Sequence, residues 1–133
     1  MRSFTLKIIT PDGVKFSGEC ESLLVRTSEG DLEILAGHTD LLATVDIGRA
    51  RIRVGKTDRV GAIQGGTLTV LSGVVTLLPI TFEFADEIDL ARAERAKERA
   101  EEKLASATNP TVEDIARAKL MRALNRISVA EKN

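Results

Sequence analysis

The most distinctive chemistry in this chain belongs to four arginines in its C-terminal third. Arg92 and Arg99 stand two helical turns apart, and Arg122 and Arg126 one turn apart, so each pair shares one face of a helix. In an antiparallel helical hairpin turning near Thr108, Arg92 and Arg126 fall at about the same level. Four guanidiniums drawn together repel one another unless anions join them, and their planar, multidentate donors suit a triphosphate. A plainer reading pairs the same arginines with Glu94, Glu98, Glu101 and Glu102 on a solvated helix surface, or with acidic residues of another protein. Nucleotide binding of this kind would be regulatory, because no base, metal cluster or water-activating residue stands ready for hydrolysis.

The other reactive residue types give little. His38, in Gly37-His38-Thr39-Asp40, is the single histidine, and no cysteine cluster accompanies it to make a metal site or a nucleophile pair. It reads as a loop residue hydrogen-bonded locally or to a partner. Cys20 is alone, which rules out an intramolecular disulfide, suits a reducing cytoplasm, and reads as a strand-edge residue. Ala50-Arg51-Ile52-Arg53-Val54-Gly55-Lys56-Thr57 imitates a phosphate loop with alanine for its first glycine. That mechanism needs a flexible loop opening a helix. Here the segment alternates, is β-branched, and leads into another strand-like run, so a strand–turn–strand hairpin is expected.

The elements that must position these residues are written in two styles. The ten glycines and four phenylalanines all precede Asp86, and beyond it glycine is absent and charge is dense. The expected division is 1–85 and 86–133. In the first part Phe4, Leu6 and Ile8 alternate with Thr5 and Lys7, the period of a half-buried strand. Pro11-Asp12-Gly13 is turn chemistry. Further strand-like runs are Leu23–Thr27, Leu42–Val45, Ala50–Val54, Arg59–Ile63, Thr67–Leu71, Val74–Leu77 and Ile80–Phe84. Short strands separated by glycine-bearing turns imply an antiparallel β-sandwich or flattened barrel.

The second part reads as two helices, which makes the whole chain α+β. Asp86 is the expected N-cap of the first, with Asp89 three residues on. Ala93, Ala96, Ala100, Leu104 and Ala107 form a narrow stripe whose small side chains admit a close partner. After a break at Ala105–Asn109, Pro110 opens a second helix, with Thr111 and Asp114 as its capping pair. Ile115, Ala116, Leu120, Ala123, Leu124 and Ile127 supply its apolar face. The short connector implies an antiparallel hairpin, and an alanine stripe buries so little area that the hairpin should be marginal and able to detach.

At 133 residues the chain can bury a core of its own, and with 43% hydrophobic residues it is not a disordered chain. A formal charge of −1 argues against broad attraction to nucleic acid or anionic lipid. No apolar run suits a signal peptide or a membrane span, so membrane association is expected only through a partner.

Several segments together resemble the epsilon subunit family of bacterial F-type ATP synthases. Ile9-Thr10-Pro11-Asp12-Gly13 is similar to its opening strand and turn. The run Ser28-Glu29-Gly30-Asp31-Leu32-Glu33-Ile34-Leu35-Ala36-Gly37-His38-Thr39-Asp40-Leu41-Leu42 resembles a long family loop. Gln64-Gly65-Gly66-Thr67-Leu68-Thr69-Val70 resembles a family strand. Glu87-Ile88-Asp89-Leu90-Ala91-Arg92-Ala93 and Lys119-Leu120-Met121-Arg122-Ala123-Leu124-Asn125-Arg126-Ile127 are similar to its two-helix tail. The chain departs from the pattern at Glu33, where the family has glycine, at Ala36 and Asp40, where it has prolines, and at Thr67, where it has phenylalanine.

The resemblance implies a non-catalytic rotor component on the cytoplasmic face of the bacterial plasma membrane. Its sandwich would dock on the gamma subunit and touch the ring of c subunits, with Glu29, Asp31 and His38 in the contact loop. The tail would extend along gamma toward the catalytic alpha and beta subunits to inhibit ATP hydrolysis. In nucleotide-binding relatives ATP holds the folded hairpin down, and the pattern Ile-Asp-x-x-Arg-Ala falls here on Ile88, Asp89, Arg92 and Ala93, joined by Glu83, Arg99, Arg122 and Arg126. No cofactor or metal is implied beyond ATP as a regulatory ligand, and no nucleic acid or direct membrane insertion. The alternatives are a free-standing, monomeric ATP-sensing protein with the hairpin as its effector arm, and, less favoured, a small β-domain enzyme.

Overall fold

The computed structural model describes residues 2–131, so Met1, Lys132 and Asn133, the outermost residues of the two expected parts, lie outside the described residues. The chain divides after Phe84 into two compact units, one of strands and one of helices.

The first unit is a single hydrogen-bonded sheet that doubles over into a sandwich. Its strands are β1 (Phe4–Thr10), β2 (Gly13–Cys20), β3 (Ser22–Thr27), β4 (Gly30–Leu35), β5 (Leu41–Val54), β6 (Thr57–Leu71), β7 (Val74–Pro79) and β8 (Phe82–Phe84). They run in the order β2-β1-β7-β6-β5-β3-β4, with β8 added to β6. All neighbours are antiparallel except β1 and β7, where Leu6 lies opposite Val75 in a parallel pair.

β1 follows its sequence period closely: Phe4, Leu6, Ile8 and Thr10 are buried and the residues between them are more open. Leu6, Ile8, Leu23, Ile34, Ile52, Leu68 and Leu77 are fully enclosed and form the centre of the core. Each such side chain contributes on the order of 1.5–3 kcal/mol by leaving water.

Two long strands hold the sandwich together. The expected runs Leu42–Val45 and Ala50–Val54 are one strand of 14 residues, and Arg59–Ile63 with Thr67–Leu71 are one of 15. Asp46-Ile47-Gly48-Arg49 and Gln64-Gly65-Gly66 carry turn chemistry, but each lies opposite the other strand, so the ladder continues and the glycines bend it. Besides β5, β6 serves two neighbours on its other edge, pairing with β8 over Gly61–Ile63 and with β7 over Gly66–Leu71. Gly61 is the point of closest approach to β8, since a Cβ there would lie 2.4 Å from the Phe82 ring. That ring meets Phe84 edge to face at 4.9 Å, and the Arg59 guanidinium covers the Phe84 face at 3.6 Å. The rejected phosphate loop is a hairpin, with β5 ending at Val54, a turn at Gly55-Lys56, and β6 beginning at Thr57.

Two strands escaped the sequence reading. β2 and β4 are the edges of the sheet, and edge strands with solvent on most sides carry little alternation. The presumed contact loop Ser28–Leu42 therefore contains a strand: Glu29 sits in a turn, Asp31 on β4, and His38 in the segment leading to β5.

Cys20 ends β2 and is only 1% exposed. Burial, with Glu19 and Glu21 adding negative charge, pushes its thiol up to about 11. The unfolded thiol ionises near its ordinary value of about 8.5, so the unfolded chain loses its proton first as pH rises. Stability is therefore complete below about pH 8 and falls through the window up to the folded value. A urea titration should show about 1–2 kcal/mol less stability at pH 10 than at pH 8, and Cys20→Ala should remove that drop. An identical drop in the variant would rule the thiol out as its cause.

Candidate functional site: a cationic groove between two helices

The helical unit opens with a 3-10 turn, Ala85–Glu87, followed by α1 (Leu90–Ala105) and α2 (Pro110–Glu131). The cap of α1 is Asp89 rather than Asp86: its Oδ1 accepts from the Arg92 backbone N–H at 3.0 Å. The 3-10 turn absorbs Asp86, which shifts the helix start three residues on. Asn109, not Thr111, caps α2, its Oδ1 accepting from the Val112 N–H at 3.0 Å, and Pro110 takes the first helical position as expected.

α1 and α2 pack against each other, and the 3-10 turn packs against α2. Ala93 and Ala100 of α1 and Ala116, Ala123 and Val129 of α2 are buried. The stripe read on α1 is the packing face. On α2 the face is rotated from the expected one, because Ile115 and Leu124 are 52% and 44% exposed while Val129 is enclosed. Alanine at the buried positions lets the backbones approach too closely for Ile115 or Leu124 to share the seam.

Above that seam runs a groove of about 250 Å³ lined by Ala96, Arg99, Ala100 and Lys103 of α1 and by Lys119, Arg122, Ala123 and Arg126 of α2. Each helix contributes residues at the spacing i, i+3, i+4 and i+7, which is a single face. Three of the four expected arginines thus share one site. Arg92 does not line it; it lies exposed on the first turn of α1, beside buried Ala93. Ile88 is half-buried just before the helix, and Asp89 has one carboxylate oxygen committed to the cap. Glu83 belongs to the other unit, on β8 opposite Ala62.

Two groove residues, Lys103 and Lys119, were missed by the sequence reading. The signal was available, since Lys103 follows Arg99 by one turn and Lys119 precedes Arg122 by one turn. Every charged residue lining the groove among the described residues is a cation, and no carboxylate is among them. Glu94, Glu98, Glu101 and Glu102 form no ion pair among the described residues, and neither do Arg99, Lys103, Lys119 or Arg122. Arg117 does pair with Glu113 one turn away. Helix-surface glutamates therefore do not neutralise Arg99, Lys103, Lys119 or Arg122. Like charges one turn apart cost about 0.2–0.5 kcal/mol per pair, and the groove carries three such pairs, Arg99/Lys103, Lys119/Arg122 and Arg122/Arg126.

Residues 3–85 match the family model of the ATP synthase delta/epsilon chain, beta-sandwich domain, and residues 86–131 that of its long alpha-helix domain. The chain belongs to the ATP synthase delta/epsilon family. It is 41% identical over 133 residues to the ATP synthase epsilon chain of Ruminococcus albus, covering 99% of each chain. Its fold is similar to a chain in the cryo-EM structure of the Euglena gracilis mitochondrial ATP synthase (OSCP/F1/c-ring, rotational state 1). There the TM-score is 0.83 at 22% identity, covering 98% of this chain and 82% of that one. A chain of the Tetrahymena thermophila mitochondrial ATP synthase central stalk/c-ring structure gives a TM-score of 0.67 at 13% identity, covering 97% of each.

A second concavity of this delta/epsilon-family chain, about 410 Å³, lies in the sheet unit between Thr27–Leu32 and Leu41–Thr44. It gathers Glu29 and Asp31 but not His38. Asp31 reaches Arg26 at 3.5 Å, a pair 62% exposed on both sides and hence weak. The Glu29 N–H donates to Thr27 Oγ1 at 3.1 Å, and His38 Nδ1 donates to the Thr39 carbonyl at 2.7 Å. Among the described residues no group of three metal-binding side chains occurs, and no helix is long and apolar enough to cross a membrane.

Proposed function

We propose that the chain is a non-catalytic rotor subunit in the central stalk of a bacterial F-type ATP synthase, held at the cytoplasmic face of the plasma membrane through that complex. The sandwich docks on gamma and touches the c-ring, with Glu29 and Asp31 near the contact. The helical hairpin, when extended toward the alpha and beta subunits, inhibits ATP hydrolysis, and ATP bound to the folded hairpin prevents that extension. The two family matches and the 41% identity to an epsilon chain support the rotor assignment. The single observation behind the ATP switch is that Arg99, Arg122 and Arg126, from two different helices, line one groove.

A ligand touching both helices stabilises the folded hairpin only through its preference for that state. ATP at a hundred times its dissociation constant would add about 2.7 kcal/mol, enough to move a marginal hairpin from mostly open to mostly closed. Falling ATP then frees the tail when hydrolysis would be wasteful. Ile88, Asp89 and Ala93, at the start of α1, complete the site at the adenine end of the nucleotide, and Arg92 is a fourth guanidinium for its phosphates.

Calorimetric titration of ATP into the full chain checks this. Saturable binding is expected, weakened at least tenfold in Arg122→Ala/Arg126→Ala, where two charge-assisted contacts are lost at about 1.5–3 kcal/mol each. Wild-type protein that takes up no ATP would leave the arginines as contacts to neighbouring subunits.

A further inference from the structure

Resting on the reading of the groove as a nucleotide site, we propose that Lys103 and Lys119 extend it into a subsite for linear phosphate chains, which binds inorganic tripolyphosphate without a base and distinguishes chains by length.

The lining carries the argument. Arg99, Lys103, Lys119, Arg122 and Arg126 line the groove around a floor of Ala96, Ala100 and Ala123, and among the described residues no aromatic, carboxylate or amide side chain lines it to recognise a base or sugar. The residues that would hold adenine, Ile88 and Asp89, lie outside the groove at the start of α1. What the groove can recognise is thus phosphate alone. Its α1 wall runs from Ala96 to Lys103, about 10 Å of helix axis, a track along which several phosphates can lie in series. Lys103 lies one turn beyond Arg99 on α1, and Lys119 about one turn before Arg122 on α2, so in the antiparallel pair both stand nearer the hairpin tip and prolong the cationic track beyond the arginines. An ammonium offers three rotatable donors and no fixed fork, which fits it to the varied oxygens of a chain end. The alanine floor leaves the track open, so a chain can enter without displacing an apolar side chain.

The experiment is titration of sodium pyrophosphate, sodium tripolyphosphate and ATP, at fixed ionic strength without divalent cations, into the full chain and into Lys103→Gln/Lys119→Gln. Glutamine keeps the helix propensity of these exposed positions, and circular dichroism verifies it. Tripolyphosphate is expected to bind at least tenfold tighter than pyrophosphate to the wild type. In the double variant its affinity should fall about tenfold, pyrophosphate should change less than threefold, and Arg95→Gln, which removes a charge outside the groove, should change neither. Tripolyphosphate binding no tighter than pyrophosphate, or an equal loss in Arg95→Gln, would overturn the proposal. The two readings fail separately. ATP binding without tripolyphosphate binding removes the phosphate-chain subsite and leaves the nucleotide switch, whereas the reverse outcome removes the nucleotide reading and keeps the subsite.

Discussion

Gly66→Val should cost the sheet more than about 3 kcal/mol, and the variant is expected to express poorly or to unfold well below the wild-type urea midpoint. Gly66 has φ +150, and a Cβ built there would lie 2.3 Å from the Leu78 carbonyl oxygen and 2.6 Å from Pro79 Cα. Both obstacles are backbone, so no rotamer change relieves them. The residue sits where β6 passes from its β8 partner to its β7 partner, opposite Pro79, and beside it the Ile80 N–H donates to the Gly65 carbonyl at 2.8 Å. Relief would need β7 to move away, which would break the ladder that buries Val75 and Leu77. Gly73 is the control: its φ is +81 but nothing lies within 4 Å of a Cβ there, so Gly73→Ala should cost only about 1 kcal/mol of left-handed strain. Equal midpoints for the two variants, at unchanged m-value, would mean the Gly66 crossing has room that the structure denies it.

Ala123→Leu should open the helical hairpin while leaving the sheet folded. Ala123 is 1% exposed and Ala100 2%, in a seam where the helices meet across small side chains. Overpacking a close contact costs about 1–3 kcal/mol. The sheet can withstand a perturbation of that size, but a helix pair that buries mainly alanine cannot, because isolated helices near this length are marginal in water. Limited proteolysis should cut between residues 90 and 131 many times faster than in the wild type while residues 4–84 stay protected, and ATP affinity should fall with the lost groove. Ala91→Leu, on the exposed face of α1, should change little. If both leucine variants are cleaved alike, the alanine seam is not what holds the helices together.

How much of this was legible beforehand depends on where each signal came from. β1 was readable because one face is buried and the other open, so its period of two survives in the residues themselves. β2 and β4 were not, since edge strands owe their conformation to a neighbour. Nor was the continuity of β5 and β6, because glycines that end a strand in isolation only bend one that is paired on both sides of the bend. The caps failed by a few residues, for Asp86 and Asp89 are equally good capping residues and the 3-10 turn that takes up Asp86 decides. Arg99, Arg122 and Arg126 could be brought together from helical spacing alone. Arg92 was grouped with them by the same spacing but lies outside the groove, and Glu83 rested on a family pattern, which local periodicity has no means of supplying. Lys103 and Lys119 were overlooked although their spacing repeats that of the arginines, because ammonium groups on a helix are so often solvated surface.

The parallel pairing of β1 with β7 bears on how the chain is made. β1 emerges first during synthesis and finds β2 at once, yet its other edge stays open until Val74–Leu77 has left the ribosome. Joining strands so distant in sequence requires a large loop to close before any contact rewards it, and such topologies fold slowly. The helices, whose contacts are local, need no such wait. A nascent chain halted near Leu71 therefore carries an unsatisfied strand edge, while one released after Phe84 can complete its sheet before α2 exists.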